Sequence, residues 1–211
     1  MKTLDNSLQI RNLMKFKKEG DFYYIRLYRR GHDIGVTREQ KNEETFAKYN
    51  RRIGEYFVHS LEEFDTVMDE IRKQCEIHKC RAGINMNRKN IYELSNDFLD
   101  FAKKKLEKDK AKKYPHFIAG DYCIQYKSLE SKIWYLDVDD AETEGSFFQF
   151  KEIISKCDPY DKDFIHKIPS PNGFHVLTSR FNEEKFKKYR PNMRVFKNQV
   201  TNLYRVYDFE K

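Results

Sequence analysis

From Ile133 onward the chain spells out one order of elements: strand, helix, strand, strand, helix, strand. Ile133 to Asp139 alternates apolar and polar side chains with the period of two that a half-buried strand requires. Phe147 to Cys157 carries Phe147, Phe150, Ile153 and Ile154 at helical spacing, and Asp158-Pro159 ends that helix. Phe164 to Ile168 and Phe174 to Thr178 read as strands around the turn Pro169-Ser170-Pro171-Asn172-Gly173. Asn182 caps a helix through Tyr189, Pro191 stops it, and Met193 to Val206 supplies one or two final strands. This is the split βαβ, ferredoxin-like order, and it predicts an α+β fold. Its first and third strands are central, adjacent and antiparallel.

That adjacency gives the acidic residues of the first strand a neighbour. Trp134, Leu136 and Val138 form one face of the strand, and Tyr135, Asp137 and Asp139 form the other. Two carboxylates on one face repel each other unless a cation or basic group lies between them. Asp139-Asp140-Ala141-Glu142 also reads as a solvated acidic turn. If Phe174 and Val176 pack on the helices, however, His175 shares the open face with Asp137 and Asp139. A histidine opposite paired carboxylates favours a site over a turn.

Residues 1–130 read as an N-terminal α/β module and 131–211 as the core, within a single domain of 211 residues. Residues 1–20 read as a short helix with Leu8, Leu13 and Phe16 buried. Phe22 to Tyr28 and Ile53 to Val58 read as strands, with 33–50 between them a loop or exposed helix. Ser60-Leu61-Glu62-Glu63 is a capping box that opens a helix burying Phe64, Val67, Met68, Ile71 and Cys75. Ala82 to Asn87 reads as a strand. A second helix from Asn90 buries Ile91, Leu94, Phe98 and Phe101, and its end, Lys103 to Lys113, projects into solvent. Residues 114–131 read as a loop with a short strand at Tyr122 to Tyr126.

Seventeen Phe and fourteen Tyr are enough large side chains for a core despite 36% charged residues. No run approaches the roughly 20 apolar residues of a membrane span, and the first residues lack a signal-peptide pattern, so a soluble, cytoplasmic protein is expected. Four cysteines without a regular framework suit reduced thiols. The net charge of +7 suits a polyanionic partner, diluted by 34 acidic residues. Basic clusters recur at Arg29-Arg30, Arg51-Arg52, Arg88-Lys89, Lys103 to Lys105 and Lys187-Lys188. Each alone fits a solvated face, but together, interleaved with aromatics, they favour nucleic acid, with Arg88 and Lys89 as candidate contacts.

Ile133-Trp134-Tyr135-Leu136-Asp137-Val138-Asp139 resembles the first motif of the archaeo-eukaryotic primase (primase-polymerase) superfamily, hydrophobic residues followed by Asp-x-Asp. Ser170-Pro171-Asn172-Gly173-Phe174-His175 is similar to its second motif, a Ser and Gly turn leading to a strand histidine. The whole chain resembles the compact stand-alone primase-like proteins of tailed phages. The resemblance implies an RRM-like catalytic core performing template-directed nucleotidyl transfer on single-stranded DNA with nucleoside triphosphates, alongside a separate replicative helicase. Asp137 and Asp139 would hold Mg²⁺ or Mn²⁺, hard ions that prefer carboxylate oxygens. His175 would bind the incoming triphosphate with Ser170 and the backbone of Asn172-Gly173. Lys167 and Arg180 would be supplementary phosphate contacts.

The family carries a further metal-binding acid on its last strand. The expected position falls near Asn198, an amide, and the next carboxylate downstream is Asp208. Either Asp208 completes the metal set, or the chain is a degenerate member that binds nucleic acid or regulates a partner. A metal-dependent nuclease or phosphoesterase using Asp137, Asp139 and His175 is a third reading. Cys75, His78 and Cys80, with Cys123 elsewhere, lack usual zinc-ligand spacing, and Cys75 already has a place on a helix's apolar face. No Walker-type phosphate loop is present, which argues against helicase activity.

Overall fold

A computed structural model describes residues 2–30, 51–107, 118–125, 132–139 and 145–207. These residues form a mixed α+β structure with two antiparallel sheets. The first contains β1 (Lys2–Asp5), β2 (Asp21–Arg29), β3 (Arg51–Val58), β4 (Arg81–Asn90) and β9 (Val200–Tyr207), in the order β1-β9-β4-β2-β3. The second contains β5 (Ile133–Val138), β6 (Ile165–Ser170), β7 (Gly173–Ser179) and the two-residue β8 (Val195–Phe196), in the order β6-β7-β5-β8. The helices are α1 (Ser7–Leu13), α2 (Leu61–His78), α3 (Ile91–Leu106), α4 (Ile118–Gln125), α5 (Phe147–Ser155) and α6 (Glu183–Tyr189).

Three apolar clusters hold these elements. Ile25, Leu27, Ile84 and Leu203 of the first sheet meet Phe64, Met68 and Ile71 of α2, and Ile168 and Leu177 of the second sheet join them. Leu136, Val138, Phe174 and Val176 face the other way, against Phe150 and Ile154 of α5 and Phe186 of α6. The far face of the first sheet packs Phe22 and Tyr24 on Leu94, Tyr122 and Cys123 from α3 and α4. The second sheet is therefore buried on both faces, and its two faces are different in kind.

After β8 the chain leaves the second sheet and, as β9, enters the first between β1 and β4. A boundary near residue 130 is thus crossed by a strand that completes the N-terminal module's own sheet. At Ser60 the expected cap is present: its side chain accepts from the Glu63 N–H at 3.0 Å, while the Glu63 carboxylate accepts from the His59 N–H at 2.7 Å. Two otherwise orphan donors are satisfied where the helix begins.

Several sequence expectations give way. Residues 2–5 are a strand, because β9 offers an edge that local propensity does not reveal, and Ile10 is fully buried while Leu8 is 72% exposed. The segment around Tyr122 is helical: Tyr122 and Cys123 are both buried, and the Tyr122 hydroxyl donates to the Leu94 carbonyl. A side chain at Gly120 would collide with the Glu55 carboxylate and the Tyr24 hydroxyl bonded to it, so glycine leaves that hydrogen-bonded pair undisturbed where α4 meets β3. On α3, Leu94 is buried as expected but Ile91 is exposed. Residues 33–50 and the 108–113 part of the lysine-rich stretch lie outside the described residues.

Candidate functional site

The pairing of β5 with β7 builds the centre of the site. Its antiparallel register sets Val138 against Phe174, Asp137 against His175 and Leu136 against Val176. Phe174 and Val176 are committed to the α5–α6 core, so the alternation of a strand sends His175 to the opposite face, toward Asp137. Gly173 continues this approach. A Cβ there would collide with the Val138 carbonyl, so the Pro171-Asn172 turn can close over the end of β5 only with glycine.

His175 Nε2 lies 3.1 Å from Asp137 Oδ1, and Nδ1 lies 2.8 Å from Thr201 Oγ1. Asn202 Nδ2 is 3.3 Å from Nε2. The ring is 7% exposed and therefore sits on a face backed by β9 rather than on an open one. With Asp137 ionised, the proton on Nε2 faces the carboxylate, and Nδ1 accepts from the Thr201 hydroxyl. Tyr135 stacks on the imidazole at 4.6 Å and 13°, and Phe196 stacks on Tyr135 at 4.8 Å and 9°. The Arg194 guanidinium covers the outer face of Phe196 at 4.8 Å. A column from β8, β5 and β7 thus fixes the plane of His175, while Thr201 and Asp137 fix its rotation.

Asp139 follows the end of β5 and is exposed, whereas Asp137 is 37% exposed at its side chain. Burial and the neighbouring Asp137 charge push the Asp139 carboxyl above its ordinary value, against the pull of His175 and Arg30. Burial also raises the Tyr135 hydroxyl, helped by Asp137 and opposed by Arg30 and Arg194. Cations thus reach the site from both sheets. Arg30 stands 5.4 Å over the Tyr28 ring, with Arg26 and Arg81 on the same ring at 5.0 and 5.7 Å.

The remaining expected residues divide sharply. Ser170 shares the His175 face of the sheet by register, and its Oγ is buried without a hydrogen-bond partner. Asn172 is exposed at the turn. Lys167 pairs with Val176, so it belongs to the opposite face, where its ammonium lies 4.8 Å from the centre of the Phe174 ring. Arg180 follows β7 at its other end, five residues from His175, roughly 17 Å at strand spacing. Neither Lys167 nor Arg180 stands with His175, which corrects their expected role as phosphate contacts beside it.

Arg88 and Lys89 are buried, at 7% and 2% exposure, and not on an outer surface. Arg88 Nε pairs with Asp21 at 3.1 Å, and Lys89 Nζ donates to Asn198 Oδ1 at 3.0 Å. Burial pushes the Lys89 ammonium down to about 8. Asn198 also accepts from Asn85 and donates to the Ile124 carbonyl, tying β4 to α4. It is a structural crosslink, and β9 meets His175 instead through Thr201 and Asn202. Asp208 and Asp140 lie outside the described residues.

Among the described residues no group of three or more His, Cys, Asp and Glu side chains converges as a metal cluster. What the structure does bring near one another are Asp137 in contact with His175, and Asp139, whose carboxyl feels the Asp137 charge. Asp137 and Asp139 are the side chains here whose oxygens a hard divalent ion would prefer. Sequence reasoning missed Thr201, Asn202 and Phe196, and named Arg30 only within a basic cluster. Only Tyr135 left a signal, two residues before Asp137 on the same strand face. Comparison with family models, curated proteins and solved structures found no match.

Proposed function

We propose that this chain is a primase-polymerase-like nucleotidyltransferase with an RRM-like catalytic core, adding nucleotides to a strand templated by single-stranded DNA. The observation that carries this reading is the cross-strand contact of Asp137 with His175, with Asp139 beside it. The order β6-β7-β5-β8, with α5 and α6 on one face, is the order expected of a split βαβ core.

In this reading Asp137 and Asp139 hold Mg²⁺ or Mn²⁺, which would lower the charge on the α-phosphate and favour attack by a 3′-hydroxyl. With Asp137 turned to the metal, the Nε2–H of His175 would be released from that carboxylate to donate to a phosphate oxygen, and because ring stacking and Thr201 already fix the imidazole, little ordering would remain. The buried, unpartnered Ser170 hydroxyl supports the same assignment, because an uncompensated polar group is stabilised by a ligand oxygen. Arg30 and Arg194 add positive charge around the site. The test is incorporation of labelled nucleoside triphosphates on a primed template with Mg²⁺ or Mn²⁺. The reading fails if a folded Asp137→Ala/Asp139→Ala variant synthesises as well as the natural chain.

A specific observation favours a second reading, a primase-like protein without turnover. Where β9 meets His175 it supplies a threonine and an amide and no carboxylate. Triphosphate binding that depends on His175, without incorporation under either metal, would support this alternative.

A further inference from the structure

A cleft of about 260 Å³ lies at the other end of the β5–β7 pair, next to Ile133 and Ser179, which are cross-strand partners. Five basic residues line it from four separate segments: Lys15 and Lys17 before β2, Arg88 of β4, Lys132 before β5, and Arg180 after β7. Like charges brought together by the fold raise the local potential and attract anions. Asp21 pairs with Arg88 and Asp161 is the carboxylate that lines the cleft, so Lys15, Lys17, Lys132 and Arg180 leave an excess of positive charge. Asp161 Oδ1 accepts from the backbone N–H groups of Asp163 and Phe164, and Asp21 Oδ2 accepts from those of Lys17 and Lys18 as well as from Arg88. Lys15, Lys17 and Lys132 form no ion pair with any described carboxylate.

The floor of the cleft is fixed while its rim is accessible. Arg88 is buried and held by Asp21 and by the Lys15 carbonyl, 3.0 Å from Nη1. Tyr160 stands 76% exposed, with the Arg180 guanidinium 5.0 Å from its ring centre. An exposed aromatic face beside cations is the pairing that single-stranded nucleic acid uses, base on ring and phosphate on cation. A second hollow, lined by Phe16, His59, Ser60 and Glu62, shares Lys15 and Lys17 with the cleft, so these two lysines stand between adjoining depressions.

We propose that this cleft is a binding site for single-stranded nucleic acid, holding phosphates on Lys15, Lys17, Lys132 and Arg180 and a base on Tyr160. It stands apart from nucleotidyl transfer: the cleft holds a strand whether or not Asp137 and Asp139 turn over. The site also gives Arg180 a role at the end of β7 where the structure puts it.

The test is fluorescence anisotropy of the full chain with a short labelled oligothymidylate across a salt series. Lys132→Glu/Arg180→Glu should weaken binding at least tenfold, and each lost phosphate contact should flatten the log-log salt slope by about 0.7. Tyr160→Ala should weaken it about tenfold through lost stacking. Asp137→Ala/Asp139→Ala should leave the affinity unchanged, so failure of this site and failure of the catalytic reading are separable. Lys103→Glu/Lys104→Glu applies the same charge change on exposed positions of α3 and should have little effect. Equal weakening by both charge-reversal pairs, unchanged binding by Lys132→Glu/Arg180→Glu, or displacement of the strand by an equimolar mononucleotide would overturn the proposal. Circular dichroism of each variant checks that it remains folded.

Discussion

The two ends of the β5–β7 pair carry opposite chemistry on one rigid frame. At one end Asp137 and Asp139 meet a histidine immobilised by hydrogen bonds and ring stacking. At the other, Lys132 and Arg180 flank a cleft floored by the Arg88–Asp21 pair. Neither end neutralises itself fully. Burial and the Asp137 charge raise the Asp139 carboxyl, and the cleft gathers more cations than carboxylates. Uncompensated charge of each sign is costly to assemble, and both instances lie at strand ends. There the backbone has finished its ladder and side chains are free to face a ligand.

The comparison breaks first if the acidic end has no chemistry. Asp137→Ala should reduce metal-dependent incorporation to background while leaving strand binding intact, measured on the same preparation. The next largest effect concerns the basic end. Asp21→Ala removes the carboxylate that pairs with the buried Arg88 and an acceptor from Asn90 and from two backbone N–H groups, and should cost about 3–5 kcal/mol in urea unfolding. Burial disfavours the Asp21 carboxylate, yet Asn90, those backbone donors and Arg88 together hold it below its ordinary value. Its contribution is therefore present above about pH 4 and lost as pH falls through the lower folded value. Acid unfolding of Asp21→Asn should show a shallower decline in that range.

Gly173→Ala tests whether the acidic end depends on close backbone approach. The collision with the Val138 carbonyl should destabilise the fold by about 1–3 kcal/mol and lower incorporation, with strand affinity at the cleft unchanged. Ser170→Ala sharpens the picture further. Removing an unpartnered buried hydroxyl should leave thermal stability equal or up to about 1 kcal/mol higher, while triphosphate binding weakens. Lost stability in this variant would mean that the hydroxyl is satisfied within the fold.

The smallest effect is expected at Asp139. Its raised carboxyl binds a proton more readily in the folded chain than in the unfolded one. Stability should therefore fall as pH rises from about 3.9 through the folded value, then level off. Asp139→Asn should remove that slope and slightly raise the metal-free Tm. Mn²⁺ should raise the Tm of the natural chain more than that of the variant.

The acidic end was legible in the sequence because its signals are local and periodic. Alternation in 133–139 and 173–178 fixed which side chains share a face, and the Pro-Asn-Gly turn fixed the register. The capped helix at Ser60 was legible for the same reason. The residues that orient His175 were not, because Thr201 and Asn202 arrive on a strand of the other sheet that is irregular where it pairs with β4. Spacing along the chain pointed to Asn198 instead. The buried state of Lys89 was equally hidden, since a lysine is internal only where a distant amide and a deep pocket receive it. The helix at Ile118–Gln125 failed for composition: Tyr122, Cys123 and Ile124 read as strand residues, and packing on Leu94 of helix α3 explains their coil.

Strand β9 has a consequence for how the molecule assembles. It joins Tyr207 to Lys2 and Asn202 to the neighbourhood of His175, linking segments from opposite ends of the described chain. Pairings of such long separation form slowly, because the closure entropy must be met before the contacts return it. A nascent chain that has emerged only through β7 can bring Asp137 beside His175, yet lacks the hydroxyl that sets the ring's rotation. The histidine acquires its working orientation last, so maturation of the site reports completion of the fold.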